Sequence, residues 1–196
     1  MLKKYIISFI ISTTLLFSIT KDEIKSTMSK NIEAVLNILK QNKLTHEEKA
    51  KEIILIMNEN FDYELMSRLS LGKKWKELDS NKQNNFIKLF EKVLKDSYID
   101  KLNLYTNEKV KIIGLQEPKK NRAILNTEIV GKSDNYQIDY KFYQKTKEDW
   151  KIYDVSLAGV SIIQTYRQQF AGFLKDKTFD ELVNNLKNKI NDKKSI

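Results

Sequence analysis

The segment from Trp150 to Phe170, W-K-I-Y-D-V-S-L-A-G-V-S-I-I-Q-T-Y-R-Q-Q-F, changes its hydrophobic period halfway along. Trp150, Ile152 and Asp154 alternate with Lys151, Tyr153 and Val155, which is strand spacing; after Gly159 the apolar positions Val160, Ile163, Phe170 and Leu174 recur at helical spacing. A strand therefore feeds a helix through one glycine. That junction ties the last strand of a sheet to the helix that follows it.

The rest of the chain divides around this junction. Residues 23–40 place Ile24, Met28, Ile32, Val35, Leu36 and Leu39 on one helical face, and Thr45 with Glu48 forms a capping box before a second helix carrying Ile53, Ile54 and Met57. A short third helix is expected over 63–69, capped by Asp62 and stopped at Gly72. Ser80 with Gln83 is expected to start a long fourth helix whose stripe runs through Phe86, Leu89, Phe90, Val93, Leu94, Tyr98, Leu102 and Tyr105. From Lys109 the period becomes two, giving four strands near 109–116, 121–131, 135–145 and 149–157, separated by Glu117-Pro118-Lys119-Lys120, Gly131-Lys132-Ser133-Asp134 and Thr146-Lys147-Glu148. Connections this short permit only antiparallel neighbours. Two helices follow, over 160–174 and 178–190. Helices grouped before and after a four-stranded meander make a single α+β domain.

Several chemistries lack their parts. His46 is the only histidine and stands in the first turn behind the capping box, so acid–base catalysis by histidine, a Ser-His-Asp triad and a multi-histidine metal site are not supported. There is no cysteine, which removes disulfides, thiolate zinc sites and thiol catalysis together. No phosphate-cradling glycine motif occurs. The 35 basic and 26 acidic side chains, a net +9, are interleaved without a run of five like charges, so neither a nucleic-acid arm nor a polybasic tail is indicated. At the N-terminus Lys3 and Lys4 precede an apolar, hydroxyl-dotted stretch from Tyr5 to Ile19, too short for a comfortable membrane span. Residues 1–20 read as a secretory signal peptide and 21–196 as the mature domain, which keeps 33 basic side chains against the same 26 acidic ones.

What the chain has in abundance is apolar and aromatic surface on both layers. The fourth helix offers Phe86, Phe90, Leu94 and Tyr98; the sheet offers Ile138, Tyr140, Phe142, Trp150 and Ile152; the helix after Gly159 offers Ile163, Tyr166 and Phe170. Periodicity leaves open whether these layers close on each other or enclose a cavity. Arg167, one turn after Ile163 on the apolar side of its helix, requires a partner: a carboxylate such as Asp154, or a phosphate.

Three stretches carry a family resemblance: F-D-Y-E-L-M-S-R-L-S-L-G-K-K-W from Phe61 to Trp75, the run from Phe86 to Tyr98, and D-V-S-L-A-G-V-S-I-I-Q-T-Y-R-Q-Q-F from Asp154 to Phe170. Together they resemble the MlaC family, also called toluene-tolerance or ABC-transporter auxiliary proteins, across residues 58–186. Where that family usually carries an acidic residue before the glycine, this chain has Ala158. The resemblance implies that the helices and a curved sheet enclose an apolar pocket for phospholipid acyl chains, with the apolar residues named above and Arg167 as the lipid-binding set. It implies a periplasmic carrier, not an enzyme, with phospholipid as cargo and no cofactor. Its partners would be an inner-membrane ABC transporter with an MCE-domain subunit and an outer-membrane lipoprotein complex, in a pathway that maintains outer-membrane lipid asymmetry. The competing expectation is a solid-core adaptor of the transporter that holds no lipid.

Overall fold

The computed structural model describes residues 18–102, 105, 108–131 and 134–194, side chains excepted at 101, 102 and 192–194. Residues 1–17 of the expected signal peptide, Lys132 and Ser133 of an expected turn, and the Leu102 side chain lie outside them. Helices α1 (Ile24–Leu39), α2 (His46–Asn60), α3 (Tyr63–Leu71) and α4 (Ser80–Leu102) precede strands β1 (Lys109–Lys119), β2 (Arg122–Val130), β3 (Asn135–Thr146), β4 (Asp149–Leu157) and β5 (Val160–Ser161); α5 (Ile162–Phe173) and α6 (Phe179–Lys194) end the chain. The strands lie in sequence order in one antiparallel sheet, so the domain is α+β with five strands, not four. The additional strand comes from the junction itself. Ala158 and Gly159 take positive φ, 48° and 80°, and turn Val160 and Ser161 back to pair with β4 before the helix begins.

Helix boundaries follow local capping chemistry. The Thr45–Glu48 capping box is formed, with Glu48 N–H donating to Thr45 Oγ1 at 3.2 Å and Thr45 N–H to Glu48 Oε2 at 2.8 Å. Asp62 caps α3 by accepting from Leu65 N–H at 2.9 Å, and Gly72, at φ 58°, stops it. Asp79, not Ser80, caps α4, accepting from Lys82 N–H at 2.8 Å, while Gln83 reaches back to the carbonyls of Trp75 and Leu78. A second capping box, Thr178 with Glu181, opens α6.

A bulge corrects the simple alternation expected along β4. Phe142 pairs with Ile152 but Lys141 pairs with Asp154, so Tyr153 is the extra residue and Asp154 turns away from the face that holds Trp150 and Ile152. Val155 and Leu157 take over the apolar face. Asp154 instead accepts from Lys141 Nζ at 2.9 Å, Ser161 Oγ at 2.7 Å and Ile163 N–H at 3.2 Å, which binds the start of α5 to the back of the sheet. Its partner is therefore not Arg167.

The apolar side chains form three clusters. The largest joins α3, α4, α5 and α6 around Phe86, Phe90, Ile163, Phe170 and Leu182. A second lies on the sheet under the start of α1, around Leu125, Tyr140, Phe142, Trp150 and Ile152. It also contains Ile19, which is 6% exposed and whose carbonyl accepts from Trp150 N–H at 2.8 Å. A cut after Thr20 would remove this side chain and this bond from the fold. The third cluster, Ile38, Ile53 and Met57, joins α1 to α2 and is flanked by Tyr98 and Ile99 of α4.

Candidate functional site

Among the described residues the second and third clusters share Phe61, which packs against both, and are otherwise separate. Between them lies a cavity of about 410 Å³, roofed by the α1–α2 hairpin and floored by the sheet. Helix α1 contributes Met28, Ile32, Val35, Leu36 and Leu39; α2 contributes Ile56 and Met57; the floor is built from Val110, Ile129, Ile138, Tyr140, Ile152, Val155 and Leu157. Along β3 the cavity runs from Tyr136, 49% exposed, inward to Tyr140, roughly 14 Å of strand. Beyond Tyr140 it is closed by Phe142 and Trp150, 0% and 2% exposed.

The walls carry a few polar atoms. Asn31 donates its amide to Asn60 Oδ1 at 3.1 Å, and Asn60 donates to the Ile56 carbonyl, so this pair crosses from α1 to α2 at the cavity surface with its polarity mostly satisfied. Burial pushes the Tyr98 phenol up to about 12 and raises that of Tyr140. Both rings are therefore neutral at physiological pH and present a hydroxyl without a charge. At the open end stand Tyr105 and Glu108; burial, then the Glu108 charge, raises the Tyr105 phenol, whose buried hydroxyl has no hydrogen-bond partner among the described residues. Among the described lining residues Glu108 is the only carboxylate, and these walls include no lysine, arginine or histidine. They can exclude water and accept an apolar chain with an uncharged polar group at intervals.

Four of the residues singled out in the sequence line this cavity: Tyr98, Ile138, Tyr140 and Ile152. The others lie elsewhere. Phe86, Phe90, Leu94, Ile163 and Phe170 are buried in the helical cluster with Tyr166 packed beside them; Phe86 stacks on Phe90 at 5.6 Å and Tyr166 meets Phe90 edge-on at 4.9 Å. These rings fill the space between α4 and α5, so α4 reaches the cavity only near its C-terminal end. Phe142 and Trp150 seal the inner end. Arg167 is exposed, and its guanidinium lies over Gly72, where a Cβ would come within 3.1 Å of Nε. It therefore gives one reason why the third helix ends on a residue without a side chain. What the sequence reading missed is the roof. The stripe Met28, Ile32, Val35, Leu36 and Leu39 was visible as a helical face, but its interruption by Asn31, and the matching Asn60 at the end of α2, was the sign that this face meets a cavity rather than packed core.

Comparison with known proteins gives the frame for this geometry. Residues 29–188, most of the chain including every strand, α2 and α1 from Ser29 onward, match the family described as MlaC protein. The chain belongs to the MlaC family. A curated relative, the intermembrane phospholipid transport system binding protein MlaC of Haemophilus influenzae, is 26% identical over 117 residues. That match covers 58% of this chain and 55% of the relative, so the chain spans about half the length of the curated relative it matches. Among solved structures, the phospholipid-binding protein of Ralstonia solanacearum, determined in complex with a phospholipid, superposes with a TM-score of 0.73 at 18% identity, over 85% of this chain and 96% of that one. At that identity the likeness establishes the fold. The MlaC fold in this chain thus includes both the sheet and the roof that bound the cavity.

Proposed function

We propose that this protein is a phospholipid-binding carrier of the bacterial envelope that takes acyl chains into the cavity between the α1–α2 hairpin and the sheet. The observation that carries the reading is that cavity: open at one end, largely apolar and, among its described lining residues, without a lysine, arginine or histidine, in a chain of the MlaC family. The two relatives, one a transport-system binding protein and one bound to a phospholipid, support it. In this reading the carrier acts in the periplasm, reached by way of the N-terminal leader, and exchanges lipid between an inner-membrane ABC transporter with an MCE-domain subunit and an outer-membrane lipoprotein complex. It contributes no chemical step.

Elementary energetics give such a carrier its purpose. A two-chain lipid crossing water exposes on the order of thirty methylenes at about 0.8 kcal/mol each, a barrier of roughly 25 kcal/mol. An interior nearly as apolar as a bilayer removes most of that barrier, so lipid exchanges between sites of similar free energy. Directionality is then supplied by the partners.

The test is the lipid content of the gently purified protein by native mass spectrometry, which is expected to show bound diacyl phospholipid. Ile138→Asp places an unpaired carboxylate in the cavity floor at a cost of several kcal/mol to bound lipid, and is expected to yield folded, empty protein. Phe142→Asp, in the sealed end, is expected to lose the fold instead. Only empty wild-type protein, or an Ile138→Asp variant with full lipid, overturns the carrier reading in favour of a solid adaptor.

A further inference from the structure

The two phenols inside the cavity differ from the amides beside them. Asn31 and Asn60 spend their polarity on each other and on the Ile56 carbonyl. Tyr98 of α4 and Tyr140 of β3 line the cavity from different walls, and neither hydroxyl has a hydrogen-bond partner among the described residues. Tyr140 is only 8% exposed. After burial, the nearby Tyr98 phenol is the second cause that raises the Tyr140 phenol, which places the two hydroxyls close together.

Their depth decides what they can meet. A charged head group stays where water reaches it, at the open end beside Tyr105 and Glu108. Tyr140 lies roughly 14 Å further in along β3 than Tyr136, level with the hydrocarbon of a bound chain rather than with its head group. Before lipid enters, water can serve both hydroxyls. A saturated chain displaces that water and offers nothing in return, which leaves buried donors unsatisfied. A chain that carries an acceptor at this depth, an oxygen or more weakly the π face of a double bond, restores the bonds.

We propose that Tyr98 and Tyr140 form a chain-selecting subsite, which favours phospholipids whose acyl chain bears a hydrogen-bond acceptor partway along its length. The proposal rests on the carrier reading of the cavity and adds to it the residues that choose among cargoes. Replacing either tyrosine by phenylalanine keeps the ring and leaves no protein group unpaired, so the subsite can be removed without disturbing the fold.

Delipidated full-length protein would be incubated with vesicles of equal parts of three phosphatidylcholines of one chain length: saturated, with a mid-chain cis double bond, and with a mid-chain hydroxyl. The protein would then be re-isolated and its bound lipids quantified by mass spectrometry. Wild type is expected to hold the hydroxylated lipid about fivefold over the saturated one, the worth of one net hydrogen bond. The unsaturated lipid should exceed the saturated one about twofold, as suits a weaker acceptor. Tyr98→Phe and Tyr140→Phe should each lower both ratios, and the double variant should bring them close to one; if the double variant melts early, the single variants decide. Equal occupancy in loaded wild type, or ratios that the phenylalanine variants leave unchanged, overturns chain selection while leaving the carrier reading intact. Wild type that takes up none of the three lipids overturns the carrier reading itself.

Discussion

Ala158 is the only non-glycine residue with positive φ among the described residues, and it stands beside Gly159, also positive, at the tip of the β4–β5 hairpin. Two successive left-handed residues suit the mirror-image turn that matches strand twist, but an alanine there costs about 1–2 kcal/mol against its right-handed form. Asparagine tolerates this conformation by bonding to its own backbone. Ala158→Asn is therefore expected to stabilise the protein by up to about 1 kcal/mol, a rise of roughly 2–4 °C in melting temperature. Gly159→Ala should lower it by a similar amount or more although no atom lies within 4 Å of the new methyl group, because the penalty is in the backbone. Thermal denaturation of the two variants checks both. The same pair of residues marks a limit of sequence reading. Gly159 announced a junction, but periodicity alone does not say that the chain doubles back for two residues before it becomes a helix.

At the scale of the element, α3 is held to the sheet through Asp62. Its buried carboxylate accepts from the Tyr143 hydroxyl and from Leu65 N–H, and Lys145 Nζ lies 3.0 Å away. Burial pushes this carboxyl up, but the bonds from Tyr143, Leu65 and Lys145 together outweigh it and hold it below the usual aspartate value. A group whose pKa is depressed by folding contributes stability above its unfolded value and loses it as the pH falls through the folded one. Urea unfolding should therefore find Asp62→Asn less stable than wild type by about 1–3 kcal/mol at pH 7, with the gap narrowing below pH about 4. A constant gap from pH 7 to pH 3 would mean that the carboxylate charge contributes nothing. Asp62 was legible in the sequence as a helix cap because capping is local. Its links to β3, 81 residues away, were not. For the same reason, the aromatic stripe of α4 was visible but not its neighbours: a stripe shows that a face is buried, and only the packing of α5 and α6 shows that Phe86 and Phe90 face a filled interior. The bulge at Tyr153 was equally hidden, since the extra residue is defined by its partner strand.

For the whole molecule, the α+β layout followed from local signals, whereas the cavity depends on two clusters that share Phe61 and otherwise stay apart, a property that no window of sequence contains. The sheet has a comparable global property. On its β4 side the ladder is closed by β5, by the Ile19 carbonyl on Trp150, and by Asp62 N–H on the Ile152 carbonyl at 2.9 Å. On the other side β1 is the terminal strand, with Lys109 and Lys111 exposed along it and Ile113, 61% exposed, at its bulge. Lysines and a bulge discourage pairing with another molecule, and salt weakens the charge part of that protection. Among the described residues each molecule has one accessible edge, an odd number with a simple outcome. Two copies joining edge to edge across a two-fold axis would use both free strands and leave none. Self-association through the sheet thus ends at a pair, and sedimentation in concentrated salt should find it levelling off at dimers, where a growing distribution of larger species would show that a second edge is open.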